Sequence, residues 1–145
     1  MGMETAVRAL FGRYEDLFAQ ALAGEVSMNE VATLYAAEFI AASPAGVTTG
    51  RNDGTLRQRM AQGYARYRAI GTTAMRIRDL RLTPLDGLHC VAHVAWTATY
   101  ARDDLRETAI DFDVHYLVQM LGSEARVFGW VSGDETALLR EHGVI

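Results

Sequence analysis

One long alternating stretch limits the folds open to this chain more than any other feature. Between positions 107 and 121 the sequence is ETAIDFDVHYLVQML; its even-numbered residues are apolar from Ile110 to Met120, and most of its odd-numbered residues are polar. Successive side chains of a β-strand point to opposite faces of the sheet, so the pattern predicts a strand with one dry face and one mixed face. Its length predicts a place in the middle of the sheet.

Three other stretches alternate with the same period, namely residues 75–83, 88–100 and 126–132. Short turns separate the four stretches, which predicts an antiparallel meander. The apolar residues of the second predicted strand again have even numbers, and Phe128 and Trp130 join the same face from the last one.

This parity predicts the register of the strands. Residues that share a face can pair only if their numbers add to an even total, which predicts a three-residue loop around Asp103 and another at 123–125. In the first strand the apolar residues change from odd numbers, such as Met75, to even numbers, such as Leu80. That change predicts a bulge near Arg78.

The N-terminal part of the chain has helical periodicity instead. Apolar residues recur at helical spacing over residues 4–23, and Gly24 is a typical place for that helix to end. Ser27 with Glu30 forms a capping-box pattern for a short second helix, whose apolar stripe is predicted to extend to Tyr35.

The middle and the end of the chain carry further helix signals. Residues 39–46 are apolar and then turn-forming, and after them Asn52 or Asp53 caps a third helix that runs to about residue 68. The tail over residues 133–145 contains a short helix. We therefore predict one α+β domain over residues 1–145, with three N-terminal helices packed on one face of a curved antiparallel sheet and a conical cavity between them.

Composition excludes several classes of function. The net charge is −4, which argues against nucleic-acid binding, and all 14 basic residues are arginine, which excludes Schiff-base lysine chemistry. The one cysteine allows no intrachain disulfide, and no apolar run approaches the ~18 residues of a membrane span. We expect a cytoplasmic protein that contacts neither nucleic acid nor membrane.

Several local motifs, together with the order of the elements, suggest a family. The motifs are Tyr14 in the first helix, FIAASPAG at 39–46, Gly50-Arg51 before the third helix, and DVHY at 113–116. Over nearly its whole length the chain resembles the nuclear-transport-factor-2-like, cystatin-like cone fold, which includes ketosteroid isomerases and polyketide cyclases of the SnoaL type. The order of the elements carries most of this resemblance, because each motif alone is loose.

The resemblance implies roles for particular residues. It places Tyr14 where the isomerases keep a tyrosine that donates a hydrogen bond to a developing oxyanion. Ser43, before Pro44, stands where they keep a carboxylate base, and Val114 stands where they keep a second, inward-facing acid. Because both acids are missing, ketosteroid-isomerase chemistry is not expected. The enzyme question stays open: an active chain would be isomerase-, cyclase- or dehydratase-like, with no metal or organic cofactor, and Tyr14 would be its catalytic residue.

The predicted inner face of the sheet and the helices opposite supply a mostly apolar pocket for a hydrophobic small molecule. Its expected ligand-binding residues are Tyr14, Phe39, Tyr64, Trp96, Phe112, Val114, Tyr116 and Trp130. The alternative is that these aromatic side chains only fill the core. The chain would then be a non-catalytic dimeric structural or interaction module with a filled cavity.

The predicted outer face carries polar side chains, and we expect a homodimer through it. The interface residues would be His93, Asp111, Asp113 and His115. Depending on the register, His93 lies opposite Asp113 or His115, and a histidine–carboxylate pair there is a candidate general base. We expect no metal site, since His89 and His93 lie roughly 13 Å apart along a strand that rises ~3.3 Å per residue.

Overall fold

The computed structural model of the protein describes residues 2–145, which form helices and a single mixed sheet. The helices are α1 (Met3–Leu22), α2 (Met28–Ala32), α3 (Gly54–Ala69) and α4 (Glu135–Glu141). The strands are β1 (Tyr35–Ser43), β2 (Gly46–Arg51), β3 (Thr72–Pro84), β4 (His89–Arg102), β5 (Leu105–Leu121) and β6 (Glu124–Ser132).

The six strands are arranged in the order β2-β1-β6-β5-β4-β3. Neighbouring strands are antiparallel except for β1 and β6, which are parallel. The helices pack on one face of this curved sheet, with α1 in contact with β3 and β6. The α+β class and the four-strand meander are therefore confirmed.

Two strands, β1 and β2, were not predicted from the sequence. β1 follows α2 directly: α2 ends at Ala32, so the prediction that Tyr35 belongs to that helix is wrong. The Asn52 side chain donates hydrogen bonds to the carbonyl oxygens of Ala32 at 2.8 Å and Tyr35 at 3.1 Å. These bonds satisfy backbone groups at the junction between helix and strand, where helix ends otherwise leave carbonyls unpaired.

The remaining helix boundaries agree with the local signals. Gly24 follows α1 with a φ of +83°, and the Ser27 hydroxyl accepts the Glu30 backbone N–H at 3.4 Å. Of the two candidates for the cap of α3, Asp53 performs it, since its Oδ1 accepts the backbone N–H groups of Thr55 and Leu56.

The even-sum register between β4 and β5 is confirmed, with His93 opposite His115 and Val94 opposite Val114. The three-residue loop around Asp103 is wrong, because only residues 103 and 104 separate the strands. A register shift between Tyr100 and Arg102 supplies the extra residue. A bulge thus restores the parity that a two-residue loop alone would break.

A two-residue loop and a bulge also connect β5 and β6. The loop contains residues 122 and 123, not the three residues predicted, and the register shifts between Leu117 and Val118. Trp130 stays on the inner face opposite Tyr116, whereas Val127 takes the buried position before the bulge. Phe128 therefore lies on the outer face, near His89, and the prediction that it faces inward is wrong.

The bulge predicted near Arg78 is confirmed by a register shift between Ile77 and Asp79. Beside it, the Glu15 carboxylate accepts a hydrogen bond from the Ile77 backbone N–H. This bond attaches α1 to β3 and fixes the height of the helix above the sheet.

The parallel contact between β1 and β6 depends on a glycine. A Cβ atom on Gly129 would lie 2.6 Å from Ile40 Cγ2, 2.9 Å from the Ile40 carbonyl oxygen and 3.0 Å from Leu117 Cδ1. The backbone oxygen cannot rotate away as a side chain can, so only glycine lets the two strands approach this closely.

We expect Gly129→Ala to lower the free energy of unfolding by about 1–3 kcal/mol, because the added methyl overpacks the β1–β6 contact. The control is Gly12→Ala, on the exposed face of α1, where a Cβ atom meets nothing within 4 Å. That change should raise the stability by about 0.5–1 kcal/mol, since alanine favours a helix over glycine. Urea denaturation of both variants checks the pair; a Gly129→Ala variant as stable as the wild type contradicts the packing argument.

Candidate functional site

A cavity of about 610 Å³ lies between the helices and the inner face of the sheet. Every tyrosine and both tryptophans of the chain line it. These residues are Tyr14, Tyr35, Tyr64, Tyr67, Tyr100, Tyr116, Trp96 and Trp130. Leucine, methionine, isoleucine and phenylalanine side chains form most of the remaining wall, so the cavity is an aromatic chamber with hydroxyl groups at intervals.

Tyr14 of α1 occupies the centre of this wall. Its ring centroid lies 5.7 Å from those of Trp96 and Tyr116, and 6.3 Å from that of Tyr35. Helical periodicity directs Tyr14 toward the sheet, and even parity directs Trp96 and Tyr116 toward the helix. The hydroxyl of Tyr35, at the start of β1, donates a hydrogen bond to the Tyr14 oxygen at 3.2 Å.

The donor and the acceptor can be assigned in the hydrogen bonds of this group. The Trp96 indole nitrogen can only donate, and it donates to the Tyr116 hydroxyl at 3.2 Å. The Tyr116 proton is then left for another acceptor, and the ring of Tyr14 is its neighbour, with the two centroids 5.7 Å apart. Tyr14 thus accepts from Tyr35, and its own proton is available to a hydrogen-bond acceptor in the cavity.

Burial keeps these phenols protonated. It raises the pKa of Tyr14, and the hydrogen bonds from Tyr35 and Tyr116 oppose that effect only in part. Burial also raises the pKa of Tyr116 well above its usual range. At neutral pH the centre of the cavity is therefore a set of neutral donors, not a base.

Of the other residues expected to bind a ligand, Tyr64, Phe112, Val114 and Trp130 also line the cavity. Phe39 does not line it. Its ring stacks on Trp130, with the centroids 5.2 Å apart and the planes 17° from parallel. Phe39 thus supports one wall from behind.

The positions that carry acids in the isomerases hold no acid inside the cavity. Val114 presents an apolar side chain to it, and Ser43 lies at the exposed end of β1, where its hydroxyl accepts the Ala45 backbone N–H at 3.2 Å. Neither position therefore holds a carboxylate that could abstract a proton from carbon.

Four other carboxylates line the cavity, those of Asp111, Asp113, Asp134 and Glu135, and the last of them belongs to the helix of the C-terminal tail. Glu135, the first residue of α4, is exposed and also lines the cavity, so it lies at the mouth. Its Oε1 accepts the Tyr67 hydroxyl at 2.7 Å. The pattern of Asp134 as a helix cap followed by Glu135 is visible in the sequence, but nothing local indicates that Glu135 meets Tyr67 of α3.

The outer face of the sheet brings different residues together. The Nδ1 atoms of His93 and His115 are 2.8 Å apart, while Arg78 lies 3.0 Å from Asp111 and 3.8 Å from Asp113. The aspartates pair with the arginine, and no histidine–carboxylate pair forms at His93. Burial, then Arg81 and then His115 lower the pKa of His93.

The side chains and helices of residues 2–145 bear on metal binding and on membranes. No cluster of three or more histidine, cysteine, aspartate or glutamate side chains has an arrangement suited to a metal ion. None of the helices there is both long and apolar enough to cross a membrane.

The chain is similar to one family of proteins and to several solved structures. The model of a family described as NTF2-like protein (DUF6841) matches residues 4–135. No curated protein matches the chain. An NTF2-like protein with a cystatin-like fold from Novosphingobium aromaticivorans is 14% identical, with a TM-score of 0.68 over 97% of this chain and 88% of that one.

Two further solved structures are similar. A protein of unknown function with a cystatin-like fold from Nostoc punctiforme is 12% identical, with a TM-score of 0.62 over 92% of each chain. A protein from Novosphingobium aromaticivorans that is provisionally named a scytalone dehydratase is 9% identical, with a TM-score of 0.64 over 88% of this chain and 80% of that one. At these identities the similarities show the fold alone.

The buried phenols predict how the protein behaves at high pH. Burial, followed by the charge of Glu135, raises the pKa of Tyr100 to about 12, from an ordinary value near 10. The unfolded chain releases the proton first, so the stability from this group is constant below about pH 10 and is lost as the pH rises toward 12. Ultraviolet titration should show little tyrosinate near pH 10 in the folded protein and half-ionisation there in urea; half-ionisation of the folded protein near pH 10 would contradict the burial of the phenols.

Proposed function

The chain belongs to the NTF2-like protein family (DUF6841), and on that basis we propose that it binds a flat, largely apolar small molecule in the tyrosine-lined cavity. The observation that carries the proposal is that all six tyrosines and both tryptophans line one cavity. A space of about 610 Å³ beside these side chains supports ligand binding over a core that they only fill. Ligand pockets typically measure ~300–1,000 Å³ and have apolar walls with a few polar groups.

The hydrogen-bond direction supports an orientation for this ligand. Tyr14 accepts from Tyr35, so its own proton is left for an acceptor such as a carbonyl oxygen. Such a donor holds a ligand oxygen and stabilises negative charge that develops on it. Since Ser43 and Val114 supply no acid, binding and polarisation are the functions proposed, and steroid isomerisation is not.

We expect Tyr14→Phe to weaken the binding of 2-acetylnaphthalene about tenfold, the typical value of one hydrogen bond to a carbonyl. It should leave the binding of 2-isopropylnaphthalene, which has the same shape and no acceptor, nearly unchanged. Calorimetric titration measures both.

The matched control is Tyr64→Phe, which removes a cavity hydroxyl that makes no hydrogen bond to another side chain or to the backbone among the described residues. It should preserve the preference for the ketone. Equal losses in the two variants would rule out the proposed role of Tyr14, and failure of the wild type to bind either compound would overturn the pocket proposal.

We also propose that two copies of the chain pair through the outer face of the sheet, at His93, Asp111, Asp113 and His115. Val131 lies opposite His115 on this face and is 48% exposed, and Ile40 is 37% exposed. Exposed apolar side chains among polar ones are typical of an interface.

We expect Val131→Glu to convert a wild-type dimer to a monomer in sedimentation experiments, because it places a charge in the paired face. Leu85→Glu is the control, since Leu85 is 61% exposed in the turn after β3 and away from this face. A wild type that sediments as a monomer at high concentration would contradict the dimer.

A further inference from the structure

The charges around the cavity are of one sign. The residues that line it include Asp111, Asp113, Asp134 and Glu135, and no arginine or histidine, although the chain has 14 arginines and 4 histidines. A cavity that bound a carboxylate or phosphate would need a cation or a row of donors for it. The uncharged side-chain donors that line this cavity are the separate hydroxyls of its tyrosines and of Ser132 and the two indoles.

Three of these four carboxylates are already engaged. Asp111 and Asp113 pair with Arg78, and Asp134 accepts the Ala137 backbone N–H at 2.9 Å as the cap of α4. Glu135 differs from them. It accepts one hydrogen bond, from Tyr67, and no cation within residues 2–145 lies within 4 Å of its oxygens.

The charge of Glu135 affects two phenols that line the cavity. It raises the pKa values of Tyr67 and Tyr100, in each case after the larger effect of burial. Both phenols line the same wall, so the negative potential extends inward from the mouth. The faces of the aromatic rings add to it, because a ring presents its negative quadrupole to a cation above it.

From this combination we infer that the ligand of the cavity is an aromatic compound that carries an alkylammonium group, held with its oxygen at Tyr14 and its ammonium group at Glu135. The inference rests on the proposed function, since it specifies the ligand of the same cavity. The free oxygen of Glu135 accepts the ammonium N–H, and neighbouring aromatic rings surround the rest of the charge. Tyr67 is a positioning residue that holds the carboxylate at the mouth.

A matched series of three ligands tests this inference by calorimetric titration of the full chain. All are 2-acetylnaphthalenes, and at position 6 they carry an aminomethyl, an ethyl or a carboxylate group. The cation should bind about threefold to tenfold more tightly than the ethyl compound, as expected for a cation between an exposed carboxylate and aromatic rings. The carboxylate compound should bind more weakly than both. High salt should reduce the advantage of the cation and leave the ethyl compound unaffected.

Glu135→Gln removes the charge and keeps an acceptor for Tyr67. It should abolish the advantage of the cation without weakening the ethyl compound, whereas Glu141→Gln, at the other end of α4, should change neither. If the ethyl compound binds at least as tightly as the cation, the amine inference is wrong while the pocket proposal stands. If the carboxylate compound binds best, the sign of the charge is wrong. If no member of the series binds, the proposed function itself fails.

Discussion

The register between β4 and β5 is the constraint on which the rest of the structure depends. With His93 opposite His115, the even-numbered side chains of both strands face α1 and the odd-numbered ones face away. A shift of one residue would carry Trp96 and Tyr116 to the outer face and bring aspartates into the core. The bulge between Tyr100 and Arg102 keeps this register, because it compensates for a loop whose length alone would break the parity. The bulge between Leu117 and Val118 does the same for the pairing of β5 with β6.

Much of this architecture follows from periodicity. The inner face could be predicted because burial imposes a period of two on β4 and β5, and the bulge near Arg78 because the apolar parity changes there. The lengths of the loops could not be predicted, because parity fixes the total number of inserted residues. It does not fix whether the loop or a bulge contains the extra one. Tyr35 was misplaced because an apolar residue after a short helix fits the next helical turn as well as the first position of a strand.

The candidate site, too, could be predicted from the sequence only in part. Its inner wall comes from strands and helices whose patterns are local, so most of the aromatic residues that line the cavity were identified from the sequence. Glu135 was not, because its position depends on α4 folding back to meet Tyr67, a contact across 68 positions of sequence that leaves no local pattern. Phe39 was assigned to the lining although it stands behind Trp130, since alternation tells which face a side chain is on and not how deep it lies.

The positions of the two tryptophans determine where the indole fluorescence of the protein originates. Trp96 donates its N–H to Tyr116, and Trp130 is stacked on Phe39, so they sit in different surroundings on one chamber wall. The chain has no other tryptophan. All of its indole emission therefore originates at the cavity, with no background from elsewhere in the molecule. A molecule that enters the cavity replaces solvent beside the half-buried Trp130, whereas Trp96 is only 2% exposed, so the emission of Trp130 reports whether the cavity is occupied.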